Sequence, residues 1–163
     1  MVVLGIDPGT ATTGYGLVRD TPSGPTLVTY GVVLTPAGAP MPERLRTIFH
    51  ELSQLILLHR PDAAAVEKLF FQRNVSTAMT VGQARGVALL ALAEAGVAVG
   101  EYTPKDVKLA VAGYGGADKP QVQQMVRAIL NLQETPRPDD AADALAVAIC
   151  HLHSMKLKAL TEG

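Results

Sequence analysis

The chain has 163 residues, 48% of them hydrophobic, one cysteine and a formal net charge of −1. That length suits one compact domain over residues 1–163, with its own core, and the composition lies outside the disordered and fibrous classes. A near-neutral balance argues against a protein that coats nucleic acid, since such binding draws on surplus Lys and Arg to displace counterions. The sum hides a patch, however: from Lys68 to Lys119 six basic residues (Lys68, Arg73, Arg85, Lys105, Lys108 and Lys119) stand against four acidic ones. Cys150 has no partner for an internal disulfide, and the N-terminus lacks a basic region and a cleavage site, which fits a cytoplasmic protein. Gly, Pro or charge breaks each apolar stretch before the roughly 20 residues of a bilayer span, so no membrane span is expected.

Val2 to Ile6 is an apolar, β-branched run that ends at Asp7 and the turn pair Pro8-Gly9, a buried strand carrying an acid at its end. Thr12 to Val18 and Thr26 to Leu34, separated by the turn cluster 21–25, complete a predicted antiparallel meander. Leu45, Ile48, Phe49, Leu52 and Ile56 recur at helical spacing, with Pro42 and Glu43 in the first turn and Arg60-Pro61 as the stop. Ala63 to Val66 reads as a fourth strand, and it too delivers a carboxylate, Glu67, at its C-terminal end. Asn74 through Ala95 is a predicted long helix whose Gly82 and Gly86 leave a flat strip where another backbone could approach. Gly96 ends it, and Val97 to Tyr102 is the fifth strand.

Two short helices, near Pro104 to Ala112 and Pro120 to Leu130, flank a loop containing Gly113, Gly115 and Gly116. The last helix starts at Pro138 or Asp139 and runs to about Met155, with Ala142, Leu145, Ile149 and Leu152 as its core stripe. His151 and His153, two apart on that helix, face different ways; they make poor joint ligands and are expected at the surface. This element order specifies a mixed five-stranded sheet covered by helices on both faces.

Acids at the ends of two strands and at the start of a covering helix can meet in space although they are far apart in sequence. Asp140 and Asp143 are three apart and share a helical face; Asp139 and Asp143 are four apart and pass the same test. Periodicity does not choose between Asp139 and Asp140, although Asp139 after Pro138 suits an N-cap. Carboxylates crowded together repel unless a cation neutralises them, and all-oxygen ligation favours Mg²⁺ or Mn²⁺. Two such ions about 4 Å apart support in-line phosphodiester hydrolysis, activating a water and stabilising the leaving oxygen. The ordinary alternative is that a strand-end Asp forms a turn and a helix-start pair caps the helix.

Gly-Ile-Asp-Pro-Gly-Thr (5–10) with Thr13-Gly14-Tyr15-Gly16, Val66-Glu67 followed by Phe70, the segment 82–87, and Asp140-Ala-Ala-Asp-Ala-Leu145 together resemble the RuvC resolvases. Val107-Lys108, Lys119 and the segment 122–127 also follow that family's pattern, so the resemblance spans nearly the whole chain. It implies a ribonuclease H-like fold and Mg²⁺-dependent endonuclease activity on four-way (Holliday) junction DNA in recombination and repair, with Mn²⁺ able to substitute and two ions per site. It further implies Asp7, Glu67, Asp140 and Asp143 as metal-binding catalytic acids, which selects Asp140 over Asp139. Some relatives carry His at the Asp140 position. Lys119 and Lys108 match basic residues near the family's active site, and Phe70 an aromatic that stacks on a base near the branch point. Arg73 and Arg85 are weaker phosphate-contact candidates. The implied partners are a second copy of the chain and the RuvA–RuvB branch-migration complex, a two-fold dimer suiting a two-fold substrate.

Three alternatives compete. The opening motif also looks like the first phosphate loop of actin-like and sugar-kinase ATPases, but those use two such domains around a cleft and this length allows one. A non-catalytic junction binder would use the same acids only as caps and turns. Another ribonuclease H-fold nuclease, for instance one degrading RNA in hybrids, would differ in substrate preference rather than in metal need.

Overall fold

The structure is a computed structural model that describes residues 1–68 and 75–163. Strands β1 (Val2–Asp7), β2 (Thr12–Thr21) and β3 (Gly24–Leu34) form the meander. They are followed by α1 (Met41–His59), β4 (Ala63–Glu67), α2 (Val75–Glu94), β5 (Ala98–Tyr102), α3 (Pro104–Ala112), α4 (Lys119–Ile129) and α5 (Asp139–Thr161). The sheet order is β3-β2-β1-β4-β5. The meander pairs are antiparallel, whereas β4 pairs in parallel with β1 and with β5. This is the mixed, helix-flanked sheet of the ribonuclease H-like fold.

Side chains alternate across each strand, so β1 divides its residues between two cores. Leu4 and Ile6 point to one side, where they join Leu17, Val66, Ile48, Leu52, Ala88 and Leu92 beneath α1 and α2. Val3 points to the other, with Val18, Ala63 and Ala65, beneath α5 and the outer helices α3 and α4. By the same alternation Gly5 and Asp7, and on β4 Glu67, belong to the α5 side.

On that side α5 lies against the strands at backbone contact. A Cβ on Gly5 would strike the Ala144 carbonyl, one on Gly14 the Asp140 carbonyl, and one on Gly16 the Leu145 side chain. Glycine in a strand here serves close approach of another backbone. The helix answers with its own small residues, Ala141, Ala144 and Ala148, all fully buried. Sheet below and helices above cover the middle of α5: from Ala141 to Leu152 every residue is buried except Asp143.

The outer helices are fixed at their starts. Thr103 and Asp106 form a reciprocal capping box on α3, Asp118 and Gln121 one on α4, and each helix has proline in its first two positions. Gly113, at φ 88°, closes α3 in the left-handed conformation that glycine tolerates.

Several expectations change. The β2–β3 hairpin is longer than the turn cluster suggests, β2 running to Thr21 and β3 starting at Gly24; the Thr21 hydroxyl donates to the Gly24 carbonyl at 2.7 Å. Helix α5 continues to Thr161, well past Met155, and its N-cap is Pro138, so Asp139 is the first helical residue and not the cap. His151 is not a surface residue: it is 8% exposed, its Nδ1 lies 2.8 Å from the Tyr102 hydroxyl, and Gly100 leaves room for its ring. His153 places Nδ1 2.9 Å from the Ala110 carbonyl of α3. Both corrections follow from α5 lying between two layers, so that residues on opposite faces are both covered.

By length and composition α2 could cross a membrane, contrary to the sequence expectation. It lies instead along the sheet, with Ala84, Ala88, Ala91 and Leu92 buried and Arg85 paired with Glu101 of β5. Gly86 is exposed with open space beside it, in keeping with an outward-facing strip.

Candidate active site

The parallel β1–β4 register ends at Ile6 opposite Val66, so Asp7 and Glu67 follow side by side on the α5 face. On the other flank Asp7 pairs with Gly14, the residue whose missing side chain admits the backbone of Asp140. One glycine thus brings the first turn of α5 to the end of β1. Asp143, one turn on, is the single open position in the buried stretch of that helix. Four carboxylates therefore meet where two strands end and one helix begins.

Their electrostatics reflect the crowding. Burial, then the charges of Asp143, Asp140 and Glu67, and a hydrogen-bond contact with Asp140, push the Asp7 carboxyl up to about 8. In the absence of a cation Asp7 therefore keeps a proton at neutral pH. Burial and Asp143 also raise Glu67, against the opposing pull of Lys108 and Lys119. Burial raises Asp143, with Lys119 as the main counterweight.

Among the described residues no three His, Cys, Asp or Glu side chains are already gathered as a metal cage. The contact within the group is the hydrogen bond between Asp7 and Asp140. An all-oxygen donor set whose burial and crowded charges together favour a bound proton fits a hard divalent cation, which would replace that proton.

Beside the acids a cavity of about 230 Å³ opens between α3, α4 and α5. Val107, Val122, Ala146 and Val147 give it apolar walls, while Glu67, Asp143, Lys108 and Lys119 line it with charge. Lys119 Nζ stands 3.4 Å from Asp143 Oδ2 and 3.4 Å from Asp139 Oδ2. Burial pulls its ammonium down, but Asp143 and Asp139 together hold it above the usual lysine range. The two acid pairs on α5 thus divide: Asp140 faces Asp7, Asp139 faces Lys119, and Asp143 lies between.

Of the expected DNA-contact residues, Lys108 and Lys119 reach this cavity, and Phe70 and Arg73 lie outside the described residues. Arg85 is engaged within the chain. Its guanidinium bonds the Glu101 carboxylate, and its Nε donates to the Glu67 carbonyl at 3.4 Å, so it braces the end of β4. Sequence reasoning also missed the docking role of Gly5, Gly14 and Gly16. The signal was there, glycines two apart on β2 facing an alanine-rich helix, but only as a motif without a stated mechanism.

Residues 3–151 match the family model of the crossover junction endodeoxyribonuclease RuvC. The chain belongs to the RuvC family. A RuvC of Syntrophomonas wolfei is 59% identical over 163 residues, 100% of this chain and 95% of the relative. One from Chloroflexus aurantiacus is 61% identical over 154 residues, covering 94% of each. Among solved structures, Thermus thermophilus RuvC in complex with a Holliday junction substrate superposes with a TM-score of 0.92 at 43% identity, over 97% of this chain and 96% of that one. The yeast mitochondrial Holliday junction resolvase Ydc2, at 15% identity and a TM-score of 0.67, shares the fold. RuvC membership makes this chain a crossover junction endodeoxyribonuclease.

Proposed function

We propose that this RuvC chain resolves four-way DNA junctions by paired, symmetric, Mg²⁺-dependent hydrolysis of phosphodiester bonds, working as one domain over residues 1–163. The observation that carries the reading is the meeting of Asp7, Glu67, Asp140 and Asp143 at the rim of a cavity with two lysines. Asp7, Glu67, Asp140 and Asp143 would hold the metal, two Mg²⁺ per site with Mn²⁺ able to substitute. When bound, the ions supply Lewis-acid polarisation of the phosphate and a water acidified toward neutral pH.

The protein's own part is placement. The four acids would hold the cation, whose charge would offset their crowding, and Asp7 would be ionised in that state. Lys119, set at the cavity mouth, pairs with the scissile phosphate and meets its developing negative charge. Lys108 contributes a second positive charge on the same wall. Phe70 and Arg73 extend the DNA surface through base stacking and phosphate pairing, as the family resemblance implies.

A homodimer presents two such sites to a two-fold substrate, and the RuvA–RuvB complex supplies branch migration by the same family inference. We place the enzyme in the cytoplasm, where DNA recombination and repair operate in bacteria.

The test incubates the purified chain with a labelled synthetic four-way junction and with linear duplex, in Mg²⁺, Mn²⁺ or chelator. Paired nicks at symmetric positions, confined to the junction and lost with chelator, are expected. Nicking that persists in chelator removes the metal assignment, and equal cutting of linear duplex removes the structure selectivity.

A further inference from the structure

Asp139 is the acid of the α5 start that the central group does not use. Burial, then Asp143, Asp140 and Glu67, raise the Asp7 carboxyl, whereas Asp139 acts on Asp143 and on Lys119. Its two oxygens are instead divided across α4. Gln123 Nε2 donates to Oδ1 at 3.1 Å, and Lys119 Nζ stands 3.4 Å from Oδ2. Lys119 and Gln123 are four apart and so share one face of α4, whose first turn is locked by the Asp118–Gln121 capping box.

From this geometry we infer that Asp139, oriented by Gln123, is a positioning residue that keeps the Lys119 ammonium at the mouth of the acidic cavity while Asp143 is engaged by a cation. The inference rests on the role proposed for Lys119 above. A lysine ammonium sits on a flexible stem with much rotamer freedom to lose. The Lys119 side chain is 52% exposed, so a single partner holds it weakly. Asp143 is an unreliable partner, because it belongs to the set that would hold the metal, and a bound cation would compete with Lys119 for its oxygens. Asp139 is held on the α4 side, with Oδ2 toward Lys119 and Oδ1 accepting from Gln123. Gln123 keeps its carboxylate from rotating away. An exposed pair of this kind adds little to stability, so its effect lies in where the ammonium sits.

The experiment uses the full chain in saturating Mg²⁺. Single-turnover junction cleavage is compared for wild type, Asp139→Ala, Lys119→Ala and the double variant. Asp139→Ala should slow cleavage roughly ten-fold, the scale of an outer-shell partner, with junction affinity and Mg²⁺ dependence unmoved. It should add nothing once Lys119 is alanine, and Asp139→Glu should recover part of the loss. An equal loss in the Lys119→Ala background, or a shifted Mg²⁺ dependence, overturns the inference; the latter makes Asp139 a metal ligand.

A second arm needs no turnover. In ¹³C-dimethylated protein the Lys119 resonance, assigned by its disappearance in Lys119→Arg, should move in Asp139→Ala with Mg²⁺ present. A resonance that stays put also overturns the tether. If wild type leaves junctions intact while this resonance moves, the resolvase reading fails and the tether stands.

Discussion

The two faces of one sheet are built to different tolerances. Under α1 and α2 the contact is between large interdigitating side chains, Leu4, Ile6, Leu17, Ile48 and Leu52, each fully buried. Under α5 it is between backbones, with glycine against a carbonyl at Gly5 and Gly14. A side-chain core can repack around an error, whereas a backbone contact has no rotamer with which to adjust. The proposed chemistry lies on the second face. Its acids come from three elements, and their relation is set by how closely one helix can approach two strands.

The largest effect expected is at the acids themselves. Asp7→Asn should reduce junction cleavage on the order of a thousand-fold, leaving fold and junction binding intact; wild-type turnover in a single-turnover assay would remove Asp7 from the site.

The comparison of faces is sharpened by one substitution on each. Gly14→Ala forces α5 away from β2, at a cost of about 1–3 kcal/mol, and should also take most of the activity, because Asp140 moves with the helix. Leu52→Ala should cost more stability, about 2–5 kcal/mol, yet leave cleavage per folded molecule near that of wild type. Urea melts read beside active-site titration check both. If Gly14→Ala keeps full activity, close docking does not set the site.

A smaller effect is the coupling of protons and metal. The Asp7 carboxyl binds its proton more tightly folded, near 8, than its ordinary value of 3.8. Its contribution is fully present below about 4 and is lost as pH rises through about 8, so metal-free protein should weaken across that window. Saturating Mg²⁺ should flatten the slope, as should Asp7→Asn in chelator. Denaturation midpoints measured at several pH values decide it, and parallel curves for wild type and Asp7→Asn would falsify the linkage.

Smallest is the effect at His151, beyond the site on the same helix. Burial first, then Lys158, holds this imidazole below its ordinary value of 6.5. Stability should therefore be full above 6.5 and decline as pH falls through the lowered value, a decline absent from His151→Gln. Matching acid limbs in the two proteins would show that His151 stays uncharged for another reason.

Much of the fold was legible because strand ends and helix limits are written locally. Pro8-Gly9 ends β1, Arg60-Pro61 closes α1, Gly96 ends α2, and Gly113 closes α3. The acids at Asp7 and Glu67 could be placed at strand ends for the same reason. Asp139 and Asp140 could not be separated, since both lie in the first turn of α5 and both are compatible with Asp143 by spacing. His151 was misplaced because a two-faced burial of α5 depends on α3, α4 and β5, which no helical period records. The Arg85–Glu101 pair was not legible because Glu101 is brought to Arg85 by the pairing of β4 with β5.

The sequence by itself determined the order of elements, the two strand-end carboxylates and the family to which the chain belongs, since each rests on residues read along the chain. Only the tertiary structure decided that Asp140 turns to Asp7 while Asp139 turns to Lys119. That choice depends on where a backbone can approach, at Gly14, and on which neighbouring helix covers the other side.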